Sequence, residues 1–194
     1  MPKTLIAVLA TMASAMGETQ SFQLAPSAST PLRLEVEKTG LLSGKKHIFE
    51  VQKFSGTLVY EAANAASARI ELLIDAASLA LKDDWLKAGD TRKVQEYAYG
   101  KEMLDVARHP QIRFVSTGVT GALPSLVVKG DLTIRGVTRP VEIAVRQAAA
   151  DTYEVNSVIR LTDFKLKPPS ALLGAIGTKN EMRLQGQVSA VPSR

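Results

Sequence analysis

Residues 130–141 constrain the fold more than any other part of this chain, because they encode almost all of a β-hairpin. Apolar and polar residues alternate on both sides of Gly136, which lies where the chain must turn. Leu132 and Ile134 share one face of the first strand, and Val141 begins the same alternation in the second. Such a pattern is typical of an antiparallel sheet with one face in water and the other in a core.

The same alternation recurs along the chain and predicts roughly eight strands. It is seen in residues 32–36, 47–61, 70–74, 112–114, 126–134, 141–145, 153–161 and 182–188. Meandering antiparallel strands of this number close most economically into an up-and-down barrel, because closure removes the free edges of the sheet. The predicted fold is therefore all-β, a closed antiparallel eight-stranded barrel that can enclose one small ligand. A two-sheet sandwich is also compatible with the alternation and remains the alternative.

The alternation breaks in two places. Gly56 interrupts an early strand, which predicts a bulge or a sharp bend at that residue. Between residues 76 and 105 the period changes, Asp90 is a candidate N-cap, and apolar residues recur at helical spacing. One short helix is therefore predicted over about 91–103, inside a long connection.

The N-terminal residues have the pattern of an export signal. Lys3 supplies a positive charge, residues 5–12 are apolar, and Ala13 and Ala15 form a small-x-small cleavage site. A buried N-terminal helix is the alternative, and the apolar stretch is much shorter than the ~20 residues that cross a bilayer. A periplasmic or secreted protein is expected. Its predicted divisions are a signal peptide (1–15), an extended lead-in (16–31) and one barrel domain (32–191).

Composition excludes several classes of function. The chain contains no cysteine, which excludes disulfides, thiolate metal sites and a cysteine nucleophile. Its formal net charge is +5, but the basic residues are scattered and the aromatic residues do not alternate with them. Nucleic-acid binding is therefore not expected. The basic residues are interpreted first as a solvated surface, and weak attraction to anionic membrane or cell-wall surfaces is expected from them.

Catalytic patterns are scarce in this sequence. The two histidines, His47 and His109, lack a partner at metal-ligand spacing, and no nucleophile elbow or phosphate-binding loop occurs. Asp83 and Asp84 lie between lysines and are interpreted as solvated charges, whereas Asp75 is interpreted as a turn or cap residue. We therefore predict no catalytic residue, no metal site and no cofactor, and a protein that is not an enzyme.

Four segments together resemble the YceI-like family of single-domain bacterial proteins. They are residues 73–79, 104–117, 130–141 and 161–166, and they occur in the order and at roughly the spacing that the family shows. The resemblance implies a lipocalin-like barrel and an exported soluble carrier of a long apolar ligand, such as the isoprenoid tail of a quinone or a polyprenyl lipid. Such a ligand would bind mainly through apolar area removed from water.

The predicted ligand-binding residues come from inward strand faces and from an apolar connection. Residues 170–178 carry several apolar side chains, which form either ordinary core or a lid over a ligand. The predicted set is Phe114, Val128, Leu132, Ile143, Phe164, Leu172, Leu173, Ile176 and Met182. Two other functions remain open. One is a structural or partner-binding envelope protein with a filled barrel; the other is an enzyme acting on a lipid or quinone, through an internal polar residue among His47, His109, Ser157 and Asp163.

Overall fold

The computed structural model describes residues 18–27, 29–61 and 64–193, so the predicted signal peptide lies outside the described residues. The strands are β1 (Thr19–Pro26), β2 (Arg33–Gly40), β3 (Lys46–Val51), β4 (Phe54–Glu61), β5 (Asn64–Asp75), β6 (Leu79–Leu81), β7 (Gln111–Ala122), β8 (Ser125–Ile134), β9 (Val137–Ala149), β10 (Thr152–Arg160), β11 (Ser170–Ala171) and β12 (Ile176–Pro192). The helix α1 spans Ala88–Tyr99, and three short 3₁₀ turns cover Ala76–Ser78, Leu161–Phe164 and Leu172–Gly174.

The strands close into an antiparallel barrel with eight positions. Three positions are each filled by two consecutive strands, namely β1 with β2, β3 with β4, and β5 with β6; β7, β8, β9, β10 and β12 fill the rest. Strand β12 closes the ring, because its first part pairs with β2 and its last part pairs with β1. The prediction of a closed eight-stranded barrel with a single helix is confirmed.

The barrel has two distinct ends. One end, here called the helix end, carries α1, the turn between β2 and β3, the turn between β8 and β9, and the connection from β10 to β12. The other, here called the Leu123 end, carries the turns between β7 and β8 and between β9 and β10. At the helix end, Arg135 and Gly136 have φ values of 49° and 73°. Positive φ at both central residues is the signature of a type I′ turn. The hairpin therefore turns at Gly136, as the sequence predicted.

Helix α1 begins and ends earlier than the predicted 91–103. It follows Lys87, which is extended, and Asp90 lies in the first helical turn rather than at the N-cap. The helix stops at Gly100, whose N–H donates to the Tyr97 carbonyl, and tight turns replace the predicted last residues. Every residue of α1 stays at least partly exposed, so packing against the barrel does not extend the helix.

Two other expectations were wrong. The predicted lead-in of residues 16–31 contains β1, which pairs with β4 on one side and β12 on the other despite its Ser- and Gln-rich sequence. Gly56 does not break a strand; the interruption lies at residues 52–53, and Gly56 continues β4. A side chain there is excluded by close approach, because a Cβ would lie 2.6 Å from the Glu71 carbonyl oxygen.

Candidate functional site: two apolar chambers in the barrel

The barrel interior contains a cavity of about 330 Å³ at the helix end. Inward side chains of β2, β3, β5, β7, β8, β9, β10 and β12 line it, and α1 covers it with Val94, Tyr97 and Ala98. We call it the helix-end chamber. Its walls are almost entirely apolar because strand alternation points Leu, Ile, Val and Phe inward at successive positions.

A second cavity of about 640 Å³ occupies the other half of the barrel. We call it the Leu123-end chamber, since Leu123 stands at its mouth. Tyr60 and Tyr153 add two hydroxyl-bearing rings to a lining that is otherwise mainly aliphatic. The volume of each chamber falls within the range of known small-molecule sites.

The two chambers meet at a waist in the middle of the barrel. Leu72, Phe114, Ile143 and Leu184 line both chambers, so they form the wall between them. The Phe114 ring has room to lie here because it faces Gly130 on β8, where a Cβ would collide with the ring carbons. A chain that occupied both chambers would have to pass between these four side chains.

Five of the nine predicted ligand-binding residues line the chambers. Phe114 and Ile143 form part of the waist, Leu132 and Met182 line the helix-end chamber, and Val128 lines the Leu123-end chamber. Their role in binding stays a prediction. Phe164 and Ile176 lie elsewhere: Phe164 is fully buried in the core beside the chamber wall, and Ile176 is half-buried at the start of β12.

Leu172 and Leu173 point into solvent rather than over the barrel opening, so the expectation that they form a lid or core was wrong. Leu172 is 68% exposed and Leu173 is 110% exposed. Their φ values are 51° and 55°, a left-handed conformation that is unusual for bulky residues. Leucine is therefore unfavourable at both positions, because its apolar side chain is exposed to water and its backbone adopts positive φ.

Leu41 completes an exposed apolar group with these two residues. Its N–H donates to the Ala175 carbonyl at 3.0 Å, which fixes the β2–β3 turn beside the connection that carries Leu172 and Leu173. We call Leu41, Leu172 and Leu173 the leucine tip. Residues 38–49 and 164–180, which form and flank it, contain lysines but no aspartate or glutamate.

A buried histidine–aspartate pair lies at the mouth of the helix-end chamber. The His47 side chain lines the chamber, and its Nδ1 lies 2.5 Å from Asp83 Oδ2. The Asp83 side chain is completely buried, and its other oxygen accepts a hydrogen bond from the Ile48 N–H at 2.8 Å. The interpretation of Asp83 as a solvated charge was therefore wrong. Trp85 stacks on the His47 ring, with the ring centroids 5.5 Å apart.

Lys38 extends this polar mouth from the neighbouring strand. It follows Leu34 and Val36 on the inward face of β2 and lines the helix-end chamber. Burial lowers the pKa of its ammonium group, and the charge of Asp83 opposes that shift. Among the residues that the structure describes, no carboxylate forms an ion pair with Lys38.

Other polar groups of the interior are already satisfied. Ser157 Oγ donates to the Glu142 carbonyl at 2.6 Å and links β10 to β9 below the point where their ladder ends. Outside the interior, at the exposed end of β5, Asp75 Oδ1 accepts from the Ala77 N–H at 3.0 Å, as its interpretation as a cap residue predicts. Across the described part of the chain, no three His, Asp or Glu side chains gather as a metal site would require. No helix within the described ranges is both long and apolar enough to cross a bilayer.

Comparison with known proteins accounts for this architecture. A family model for the YceI-like domain matches residues 22–190. This chain belongs to the YceI family. Protein YceI of Escherichia coli O157:H7 is 28% identical over 127 residues, which cover 59% of this chain and 60% of that protein. The match therefore spans less than two thirds of the length of these curated YceI relatives.

Solved structures show the same YceI fold. BcnA of Burkholderia cenocepacia has a TM-score of 0.60 at 21% identity, covering 81% of this chain and 94% of that one. A polyisoprenoid binding domain from Saccharophagus degradans has a TM-score of 0.56 at 14% identity, covering 90% of this chain and 99% of that one. At these identities the likeness concerns the fold.

Sequence reasoning missed the polar mouth of the chamber. A signal for Lys38 was present, since it continues the inward series of Leu34 and Val36 at a spacing of two residues. No comparable signal marked Asp83, because its burial depends on the connection after β6 folding back over β3. Pairs of that kind are set by tertiary contacts rather than by local pattern.

Proposed function

We propose that this protein is a non-catalytic carrier that holds the isoprenoid tail of a lipid inside its barrel. The observation that carries the proposal is the pair of apolar chambers that share four lining residues at the waist. An extended apolar chain placed there would lose its contact with water along most of its length. Removing apolar area from water supplies about 25 cal/mol per Å², so a long tail needs few polar contacts to bind.

The comparisons support the choice of ligand class. The Saccharophagus degradans domain, which shares the fold, is described as binding polyisoprenoids. A linear isoprenoid tail is one long apolar chain whose only branches are methyl groups, which suits two apolar chambers that lie end to end. The N-terminal pattern of Lys3, an apolar stretch and Ala13 to Ala15 supports export, and we propose a periplasmic or secreted location. N-terminal sequencing of the mature protein, with a start near Met16 expected, tests the location.

Peripheral contact with a membrane belongs to the same proposal. The leucine tip presents three apolar side chains, and Lys45, Lys165 and Lys167 are exposed on the same two connections. Leucines that enter the interface beside lysines that face anionic headgroups form a known mode of membrane attachment. The tip and the mouth of the helix-end chamber share one end of the barrel, so a docked protein would present that chamber near the lipid source.

Vesicle binding tests this contact. The double variant Leu172→Ser with Leu173→Ser should bind anionic phosphatidylglycerol vesicles at least about tenfold more weakly than wild type, since each lost leucine removes roughly 1.5–3 kcal/mol of burial. Stability should be nearly unchanged because both side chains are exposed. Leu123→Ser, which removes an exposed leucine at the opposite end, is the matched control and should bind like wild type. Equal binding by all three proteins would reject the leucine tip as the contact.

Ligand binding itself is tested by lipid extraction and native mass spectrometry of protein from its own host, followed by titration with isoprenoid lipids. Ile143→Phe fills the waist from inside, whereas Val158→Phe adds the same ring at an exposed position on β10. Ile143→Phe should weaken binding of a long isoprenoid at least about tenfold and leave folding intact, since the ring enters existing space. Val158→Phe should bind like wild type. Absence of binding by wild type to every isoprenoid tested would reject the carrier function and favour the envelope module with an unused interior.

A further inference from the structure

The polar side chains of the helix-end chamber are concentrated at its mouth. Lys38, His47, Lys93 and Thr178 lie there, while Ser157, deeper in the barrel, is occupied by its bond to a carbonyl. The described lining of this chamber includes no aspartate or glutamate. A ligand whose tail fills the chamber would therefore meet cationic and hydrogen-bonding groups only where its head group emerges.

His47 is held with one ring nitrogen engaged. Nδ1 faces the Asp83 carboxylate, which is itself fixed by the Ile48 N–H, so Nδ1 carries a proton and donates it. Nε2 is the ring nitrogen left for a ligand. Trp85 packs against one face of the ring, and its own Nε1 donates to the Lys46 carbonyl at 2.8 Å, which fixes the indole in turn. The imidazole therefore holds one orientation before any ligand arrives.

Lys38 supplies the charge at this mouth. It lies opposite Thr178 in the β2–β12 ladder, and both side chains line the chamber. A half-buried ammonium group without a carboxylate bonded to it has lost part of its hydration and gains strongly from an anionic partner. By contrast, Lys93 also reaches the chamber but is largely exposed, and Asp90 lies 3.3 Å from its ammonium group. The two lysines thus differ in burial and in pairing.

We propose that Lys38 and His47 form a head-group site that selects isoprenoid lipids with an anionic head, of the prenyl phosphate class. The proposal rests on the carrier function. A phosphate monoester carries between one and two negative charges at neutral pH and offers several acceptor oxygens. Lys38 would supply a point charge to it, and His47 Nε2 would accept a hydrogen bond from the P–OH group of the monoanion. The matching alcohol offers one hydroxyl and no charge, so it gains the tail contribution alone.

Trp85 provides the measurement, because it is the only tryptophan of the chain and stacks on His47. Geranylgeranyl phosphate and geranylgeraniol, which have the same tail, are titrated into the full-length mature protein while its fluorescence is followed. Wild type should bind the phosphate roughly tenfold or more tightly than the alcohol, the effect of one charge-assisted hydrogen bond. Inorganic phosphate alone should neither change the fluorescence nor compete, because it lacks the tail.

Two lysine variants locate the site. Lys38→Met keeps the length and apolar stem of the side chain, and it should abolish the preference for phosphate while the affinity for the alcohol stays unchanged. Lys129→Met is the control, since it removes an exposed lysine of β8 that lines neither chamber, and it should retain the preference. His47→Gln should lower the preference in part. Urea melts of each variant verify that it is folded.

The results separate the two levels of the proposal. Binding of alcohol and phosphate with equal affinity, or a full preference in Lys38→Met, would overturn the head-group site and leave the carrier function standing. Failure of both lipids to bind wild type would remove the carrier function and the site together. A fluorescence change with inorganic phosphate that Lys38→Met removes would identify a free-phosphate site and overturn the assignment to a lipid head.

Discussion

Asp105 shows how one side chain fixes the connection between α1 and β7. It is buried with a φ of 48°, and its carbonyl accepts from the N–H groups of Arg108 and His109. Arg108 Nε lies 2.6 Å from Asp105 Oδ2, and this hydrogen bond lowers the pKa of the Asp105 carboxyl below its ordinary value. The folded state therefore favours the ionised form of this group.

The stability that this ionised carboxylate contributes should be lost at low pH. A carboxyl whose pKa is lowered by folding stabilises the protein above the ordinary aspartate value of about 3.9, and it loses that contribution as the pH falls toward the lower, folded pKa. Asn tolerates positive φ as Asp does, so Asp105→Asn should fold but have a lower urea midpoint than wild type at pH 7. Between pH 7 and pH 3 the urea midpoint of the variant should fall by less than that of wild type. Asp131→Asn, at an exposed position of β8, is the control. Equal acid sensitivity of Asp105→Asn and wild type would contradict the role of the Arg108 bond.

Gly136 occupies a position of the β8–β9 turn where any other residue would be strained. Its φ of 73° suits glycine, and a Cβ there would lie 3.3 Å from His109 Cε1. Gly136→Val should lower the free energy of unfolding by at least about 1 kcal/mol in a urea melt. Gly118→Val is the matched control, because Gly118 also lies in the β7–β8–β9 region but has open space around it and no positive φ. An unchanged midpoint for Gly136→Val would show that the turn accommodates a side chain.

Side-chain hydrogen bonds attach helix α1 to the barrel. Strand β6 pairs with β3 on one side, and on the other Gln95 takes the place of a neighbouring strand: its Oε1 accepts from the Leu81 N–H at 2.7 Å and its Nε2 donates to the Leu79 carbonyl at 2.8 Å. The Tyr99 hydroxyl donates to the same carbonyl at 2.9 Å. The helix thereby covers a sheet edge that would otherwise be exposed.

Removing the amide should loosen this attachment. Gln95→Ala leaves a backbone donor of β6 without a partner, and we expect a loss of about 1–3 kcal/mol in the free energy of unfolding. Glu96→Ala, one position along on the exposed face, should change it by less than about 0.5 kcal/mol. Chemical denaturation of the two variants checks both values. Similar small losses for both would mean that α1 is held by its apolar contacts instead.

At the scale of the whole molecule, the sequence predicted the barrel and much of its lining, because both follow from alternation along single strands. Val128 and Leu132 were assigned inward by that rule and line the chambers. The rule fails where the chain leaves the strands. Leu172 was expected to be covered because it is apolar, but it lies exposed beside Leu41 and Leu173 in the leucine tip. Asp83 was expected in water, but tertiary folding of its connection buries it.

The chambers and the waist together predict how affinity depends on ligand length. Each additional methylene removed from water contributes about 0.8 kcal/mol, so affinity should rise with the number of isoprene units until both chambers are filled and then level off. Phe114→Leu opens the waist and should move that plateau to longer chains, at a stability cost of about 1–2 kcal/mol. Titration of a prenyl series of increasing length, with urea melts beside it, measures both effects. A plateau at the same length in both proteins would show that the waist does not limit the ligand.

The contacts of Gln95 and Tyr99 also bear on how long a bound lipid stays. A few side-chain bonds hold α1, whereas continuous ladders hold the strands, so the helix should open many times for every unfolding of the barrel. Its amide protons should exchange with deuterium faster than those of β8, and the residence time of the lipid should follow the frequency of that opening. A bound lipid would then leave when α1 opens, without unfolding of the barrel.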